Sequence, residues 1–284
     1  MSSAGAQQNG ASHDPVISGD GRYVAFRSSA TNLVAGDTNG QRDVFVRDRQ
    51  TGVTSRVSVS SAGGQGSGGS DDPAISDDGR YVAFQSDATN LVAGDTNAAT
   101  DVFLHDRQTG ATTRVSVSST GVQGNAASDD AAISGDGSTV AWESAATNLV
   151  ADDTNAKQDI FVHDVATGAT TLVSVSSTGT QGTKSSNDPS VSADGTRVGF
   201  SSTASNLVAG DTNSRNDIFV HDRTTGETIR KSLTAVGAQA NEANSDPWIS
   251  GDGTAIAFES VATNLVPEDT DATKDVFVRG PSFN

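Results

Sequence analysis

The chain has 284 residues, with 35 Asp and Glu against 18 Lys and Arg, and a formal charge of −17. No basic stripe exists to neutralise phosphates, which argues against nucleic acid as a partner, and the absence of cysteine excludes disulfides, thiol catalysis and thiolate-held metals. No apolar run approaches the roughly 18 residues needed to cross a bilayer as a helix, so membrane insertion is not expected.

Residues 1–13 read as a loop that leads into a repeat. From Asp14 a block of 58 residues is written five times without insertion or deletion, its anchor recurring as Asp72, Asp130, Asp188 and Asp246. A fixed period of this length signals a repeat architecture. Within the first block the predicted strands are Pro15–Ser18, Tyr23–Ser28, Asp43–Asp48 and Thr54–Ser60, the last with Val57 and Val59 alternating against Ser. Ser18-Gly19-Asp20-Gly21 is a tight hairpin turn, and Asp48-Arg49-Gln50-Thr51-Gly52 is a second short turn. No helical periodicity appears.

Four short antiparallel strands repeated radially make a β-propeller. The expected fold is all-β: one five-bladed β-propeller domain spanning 1–284, with four-stranded blades at about 14–61, 72–119, 130–177, 188–235 and 246–284. The first three strands occur five times and the fourth only four times, so the fifth blade is expected to lack its outer strand. One second-strand position holds Phe26, Phe84, Trp142, Phe200 and Phe258, and one third-strand position holds Phe45, Phe103, Phe161, Phe219 and Phe277. Both are expected to form the core between blades.

The run Ile75-Ser76-Asp77-Asp78-Gly79-Arg80-Tyr81-Val82-Ala83-Phe84, followed by Asp101-Val102-Phe103-Leu104-His105-Asp106 and Thr109-Gly110, resembles the WD40-like PD40 repeat of TolB and tricorn-type propellers. The resemblance covers nearly the whole chain. It departs in that the Pro of that family's Ser-Pro-Asp-Gly turn is Gly, Asp or Ala here, and in the longer block. It implies the propeller fold and leaves function open, because the family ranges from translocation partners to protease accessory domains. A secreted or periplasmic location is expected, although Met1-Ser2-Ser3-Ala4-Gly5 is not a signal peptide.

Because strands alternate in direction, both short turns lie on one face of the propeller and both long loops on the other. The loop between the second and third strands (29–42) and the inter-blade loop (61–71) therefore share a face, where binding is expected. The inter-blade loop carries a recurring Gln (Gln7, Gln65, Gln123, Gln181, Gln239), read as a backbone staple or a ligand contact. Asn32 and its copies Asn90, Asn148, Asn206 and Asn264 are expected to cap their own loop by local Asx bonds.

Only five of the 35 acids are Glu. That Asp bias points to turns or to hard cations, calcium above all. The candidate calcium ligands are Asp37, Asn39 and Asp43, repeated as Asp95, Asn97 and Asp101; Asp153, Asn155 and Asp159; Asp211, Asn213 and Asp217; and Asp269, Asp271 and Asp275. The three residues between the second and third donors vary freely while the oxygen donors stay. The alternative is that these residues form Asx turns and open the third strand. Asp14, Asp72, Asp130, Asp188 and Asp246 form a second candidate, an acidic ring at the channel mouth that either recruits a cation or bonds the backbone of neighbouring blades. His105, His163 and His221 share a position with Arg47 and Arg279 and are read as surface residues; Glu143 and Glu259, at a position shared with Arg27, Gln85 and Ser201, are read likewise.

Hydrolytic sites need unlike groups in unlike environments, and no blade shows a unique set, so no enzyme activity is expected. The expected function is a non-catalytic, calcium-binding scaffold that engages a protein through its acidic loop face. The alternative is a multivalent carbohydrate binder, and less favoured is a glycoside hydrolase or hydrolase accessory domain. Trp248 is a candidate contact for a glycan. The expected state is a monomer, or a dimer through the open edge of the fifth blade.

Overall fold

The computed structural model describes residues 1–269 and 271–280. Among the described residues nineteen strands form five antiparallel sheets, and there is no helix. Blade 1 is β1 (Ser12–Ile17), β2 (Tyr23–Ser28), β3 (Asp43–Asp48) and β4 (Thr54–Arg56), paired in that order. Blade 2 is β5 (Ser70–Ile75), β6 (Tyr81–Ser86), β7 (Asp101–Asp106) and β8 (Ala111–Arg114). Blade 3 is β9 (Ser128–Ile133), β10 (Thr139–Ser144), β11 (Asp159–Asp164) and β12 (Thr170–Leu172). Blade 4 is β13 (Ser186–Val191), β14 (Arg197–Ser202), β15 (Asp217–Asp222) and β16 (Thr228–Arg230). Blade 5 has three described strands, β17 (Asn244–Ile249), β18 (Ile256–Ser260) and β19 (Asp275–Arg279). This is the five-bladed all-β propeller that the repeat implied.

The first strand begins earlier than its sequence suggests, at Ser12 rather than Pro15, and carries a β-bulge: His13 faces Arg27 and Val16 faces Ala25, so Asp14 and Pro15 together oppose Phe26. Asp14 adopts φ 50°, a left-handed conformation that Asp tolerates better than most residues, and Asp72, Asp130, Asp188 and Asp246 repeat it. The ring residues therefore sit inside their strands at the bulge rather than at the strand head.

The fourth strand is shorter than expected, ending at Arg56. Its ladder stops because the Ser58 hydroxyl takes over the next backbone bond: Val44 N–H donates to Ser58 Oγ at 3.1 Å. Ser58 Oγ in turn donates to Asp43 Oδ1 at 2.6 Å, fixing a fully buried carboxylate.

Each of the four junctions from blade 1 to blade 5 buries the third strand of one blade against the aromatic pair of the next. Val44 and Val46 pack with Phe84 and Phe103, and Ile218 and Val220 with Phe258 and Phe277. The aromatic pairs stack within their own blade, as Phe84 on Phe103 at 5.9 Å between centroids. The Asp-Gly hairpins pack between blades as well: Gly79 has φ 69°, and a Cβ there would lie 2.1 Å from the ring of Tyr23 in the preceding blade, so only glycine fits.

The junction between blades 5 and 1 is different. No hydrogen bond or ion pair joins them among the described residues. Val276 and Val278 are 71% and 62% exposed, whereas Val44, Val46, Ile160, Val162, Ile218 and Val220 at the same two positions are at most 1% exposed. On blade 1, Phe26 is only half-buried while Phe84 is wholly buried. The five blades surround a common channel but leave it open on one side.

Candidate functional site

The inner strands line a central channel of about 790 Å³. Its carboxylates stand towards the loop-rich face. At the other end the hairpin turns converge: Asp77 N–H donates to Gly135 O at 2.8 Å, and Ala193 N–H to Gly251 O at 2.8 Å. The acidic ring is real but its bonding differs from the expectation. Three of the carboxylates find partners in their own blades, Asp14 with Arg27, Asp188 with Ser201 Oγ at 2.9 Å and Asp246 with Ser245 Oγ at 3.1 Å. Cross-blade bonds run the other way, from the ring's backbone to side chains of the preceding blade: Asp130 N–H donates to Gln85 Oε1 at 2.8 Å and Asp188 N–H to Glu143 Oε2 at 3.0 Å. Burial raises Asp72, helped by the charge of Asp14, and raises Asp130 to about 6, helped by Asp72 and Asp188.

Glu143 is not a surface residue. It is 8% exposed, accepts from Gln158 Nε2 as well as from Asp188 N–H, and its carboxyl is pushed up to about 8 by burial and then by Asp130. Oxygens of Asp130, Glu143 and Asp188 approach within 4.8 Å of one another. This trio breaks the fivefold symmetry. Its signal in the sequence was a Glu where other blades carry Arg27, Gln85 and Ser201, but only the packing of blade 3 on blade 4 shows that the position is buried. Glu259, at the same position in blade 5, lies half-exposed and pairs with Lys274 at 2.5 Å.

In blades 1 to 4 the Asp-Thr-Asn loops lie against the inter-blade loop. Asn39 Oδ1 accepts from Gln41 N–H at 3.1 Å, an Asx turn, and its Nδ2 donates to Asp43 Oδ2 and to Gly66 O, both at 3.1 Å. Asn97, Asn155 and Asn213 repeat the turn and the bond to the inter-blade loop. The Asn therefore turns its nitrogen, not its oxygen, towards the third donor in blades 1 to 3. In blades 1, 2 and 4 a cation already sits between the two carboxylates. Arg56 Nη1 lies 3.3 Å from Asp37 and 3.2 Å from Asp43; Arg114 bridges Asp95 and Asp101; Arg230 bridges Asp211 and Asp217. Sequence reading passed over these arginines because they lie in the fourth strand, 13 residues beyond the third donor. Burial raises Asp37, Asp101, Asp211 and Asp217, and raises Asp159 to about 6. In blade 5, Asp269, Asp271 and Asp275 cluster within 4.8 Å, half-buried to exposed.

The recurring Gln staples the two loops, as Gln65 Oε1 accepts Thr38 N–H at 3.3 Å. Asn32 does not cap its own loop; it bonds the preceding inter-blade segment, accepting Asn9 N–H at 3.0 Å and donating to Gln7 O at 2.8 Å. His105, His163 and His221 are buried rather than on the surface, each bonded through Nδ1 to a fourth-strand Thr, as His105 to Thr112 at 2.8 Å, and burial lowers their pKa. Thr51-Gly52 and its copies only turn the chain.

Among solved structures the chain is similar to TolB from Acinetobacter baumannii (TM-score 0.52, 16% identity, covering 88% of this chain and 49% of that one) and to the putative TolB from Agrobacterium tumefaciens (0.56, 16%, 97% and 79%). The fold is that of TolB-like β-propellers. A third similar structure is the β-propeller domain of the Trilobed protease from Pyrococcus furiosus, described as having an open velcro topology (0.55, 10%, 95% and 69%). The chain thus spans about half the length of the Acinetobacter TolB. No protein-family model and no curated protein matches the sequence. No helix among the described residues is long and apolar enough to cross a membrane.

Proposed function

We propose that this TolB-like propeller is a non-catalytic, protein-binding scaffold that works outside the cytoplasm, secreted or periplasmic, and that its principal contact surface is the open face of blade 5. One observation carries the reading. Trp248 pairs with Ala257, and Ala257 with Val278, so the three lie in one row across the sheet, with Val276 on the same side. Trp248, Val276 and Val278 are 71%, 71% and 62% exposed. In blades 1 to 4 the third-strand residues on this side are buried by the next blade, while the inner-strand residues at the Trp248 position border the central channel. An exposed apolar row anchored by Trp is the composition of a protein interface. The complementary surface also exists on this chain, at the half-buried Phe26 of blade 1, so a blade of the same repeat is the partner that fits. The acidic loop face lies beside this surface and is free to engage a second partner.

Two further observations support the reading. Both Glu143 oxygens already accept structural hydrogen bonds, which suits a strut between blades better than a proton-transfer group. The aliphatic neighbours of Trp248 suit a protein rather than a sugar face.

The test is light scattering across a concentration range on the wild-type chain and on V276D/V278D. Concentration-dependent assembly that the double substitution abolishes is expected. A wild-type chain that stays monomeric at high micromolar concentration defeats the self-pairing contact, and strong saturable binding on a glycan array replaces the protein-scaffold reading with the carbohydrate one.

A further inference from the structure

The repeat builds a position for a cation and, in most blades, fills it with its own arginine. In blade 1 the Arg56 Nη1 atom lies among three oxygens: Asp37 Oδ1 at 3.3 Å, Asp43 Oδ2 at 3.2 Å and Gln65 Oε1 at 2.9 Å. In blade 4 Arg230 Nη1 meets Asp211 at 3.3 Å, Asp217 at 3.5 Å and Gln239 Oε1 at 3.0 Å. In blade 2 Arg114 reaches both carboxylates and Gln123 turns its amide nitrogen to them instead.

Blade 3 keeps both carboxylates and the Gln, but the residue 58 positions after Arg114 is Leu172. The charge is not replaced. Asp159 is wholly buried and Asp153 is 8% exposed. The Oδ2 atom of Asp153 is buried with no hydrogen-bond partner. Gln181 Nε2 donates to Asp153 Oδ1 at 2.8 Å and to Asp159 Oδ2 at 3.0 Å, and Asn155 Nδ2 donates to Asp159 Oδ2 at 2.7 Å. Ser174 Oγ donates to Asp159 Oδ1 at 2.7 Å. These are neutral donors. Two buried carboxylates held only by neutral donors carry an uncompensated desolvation cost, which an added cation relieves.

We infer that blade 3 binds one hard divalent cation, calcium, through the carboxylates of Asp153 and Asp159 and the amide oxygen of Gln181. The amide must turn over to present its oxygen. The same loop already holds both orientations: Gln123 and Gln181 face the carboxylates with nitrogen, while Gln65 and Gln239 face a cation with oxygen. Two carboxylates and an amide oxygen, with water completing the shell, match the oxygen-only coordination of calcium. The five-loop expectation thereby narrows to the one loop in which two deeply buried carboxylates lack a guanidinium. The inference does not rest on the interaction surface of blade 5.

The experiment is calorimetric titration of calcium chloride into the full chain and into L172R, D153N and R114L, with circular dichroism confirming that each variant folds. The wild-type chain is expected to bind one calcium more than L172R or D153N, and R114L, which opens the blade 2 position, is expected to gain one. L172R supplies the guanidinium that the other blades carry, while D153N removes one charge with almost no change in shape, so the two lose the ion for different reasons. Equal stoichiometry in wild type and D153N overturns the inference, as does the absence of calcium binding by the wild-type chain at millimolar concentration. Ions held by the cluster of Asp269, Asp271 and Asp275 are common to all four proteins and cancel in the comparison.

Discussion

Glu143 Oε2 accepts the backbone N–H of Asp188 at 3.0 Å, across the junction of blades 3 and 4. A carboxyl buried there is pushed up to about 8, chiefly by loss of hydration and then by Asp130. Its folded-state pKa thus lies above its unfolded value of about 4.3. A proton binds the folded state more tightly, so its contribution to stability is full below the unfolded value and is lost as pH rises through about 8. Urea midpoints are expected to fall between pH 6 and pH 8 in the wild-type chain, and to fall less in E143Q. Equal slopes in the two proteins would remove Glu143 as the cause.

Arg56 lies between the half-buried Asp37 and the buried Asp43 and pairs with both. R56L leaves both carboxylates uncompensated and is expected to cost about 3–5 kcal/mol, the range for breaking a buried pair from one side. The double substitution R56L/D37N, which removes one charge as well, is expected to recover part of that loss in denaturant unfolding. No recovery would mean that Arg56 acts through packing instead.

Ser58 Oγ and its copies Ser116, Ser174 and Ser232 each donate to the third-strand Asp at 2.6–2.7 Å. S116A strips Asp101 Oδ1 of that donor in a fully buried site, at a cost of about 1–3 kcal/mol. A loss well under 1 kcal/mol in equilibrium unfolding would show that water or another donor replaces the hydroxyl.

The open junction predicts unequal costs for equivalent residues. Phe84 is wholly buried between blades 1 and 2, and F84A is expected to lose about 3–5 kcal/mol. Phe26 is only half-buried, and F26A is expected to lose clearly less. Matching losses in thermal or urea unfolding would indicate that blades 5 and 1 close on each other in solution.

The architecture was legible because its causes are local. Period-2 runs, Asp-Gly turns and an exact 58-residue spacing dictate strands, hairpins and their order whatever lies beside them, and the two long loops must share a face because strands alternate. The first strand begins three residues before Pro15 because pairing with β2 carries on past the bulge, with His13 facing Arg27 and Ser12 facing Ser28, which local residue preferences do not reveal. The aromatic positions form the core as expected except at Phe26, which is half-buried, since large apolar side chains at the same place in every blade have one economical use in a stacked array.

What the sequence by itself determined is the repeating unit: four strands, a short-turn face and an acidic loop face. The tertiary structure decided what each acid does. Asp37 meets Arg56, Glu143 is sealed by the next blade, and Asp153 keeps a buried oxygen without a hydrogen-bond partner, because burial and charge pairing depend on residues brought together from other strands and other blades. It also decided that Val276 and Val278 remain exposed, since whether a blade's face is buried is a property of its neighbour and not of its own sequence.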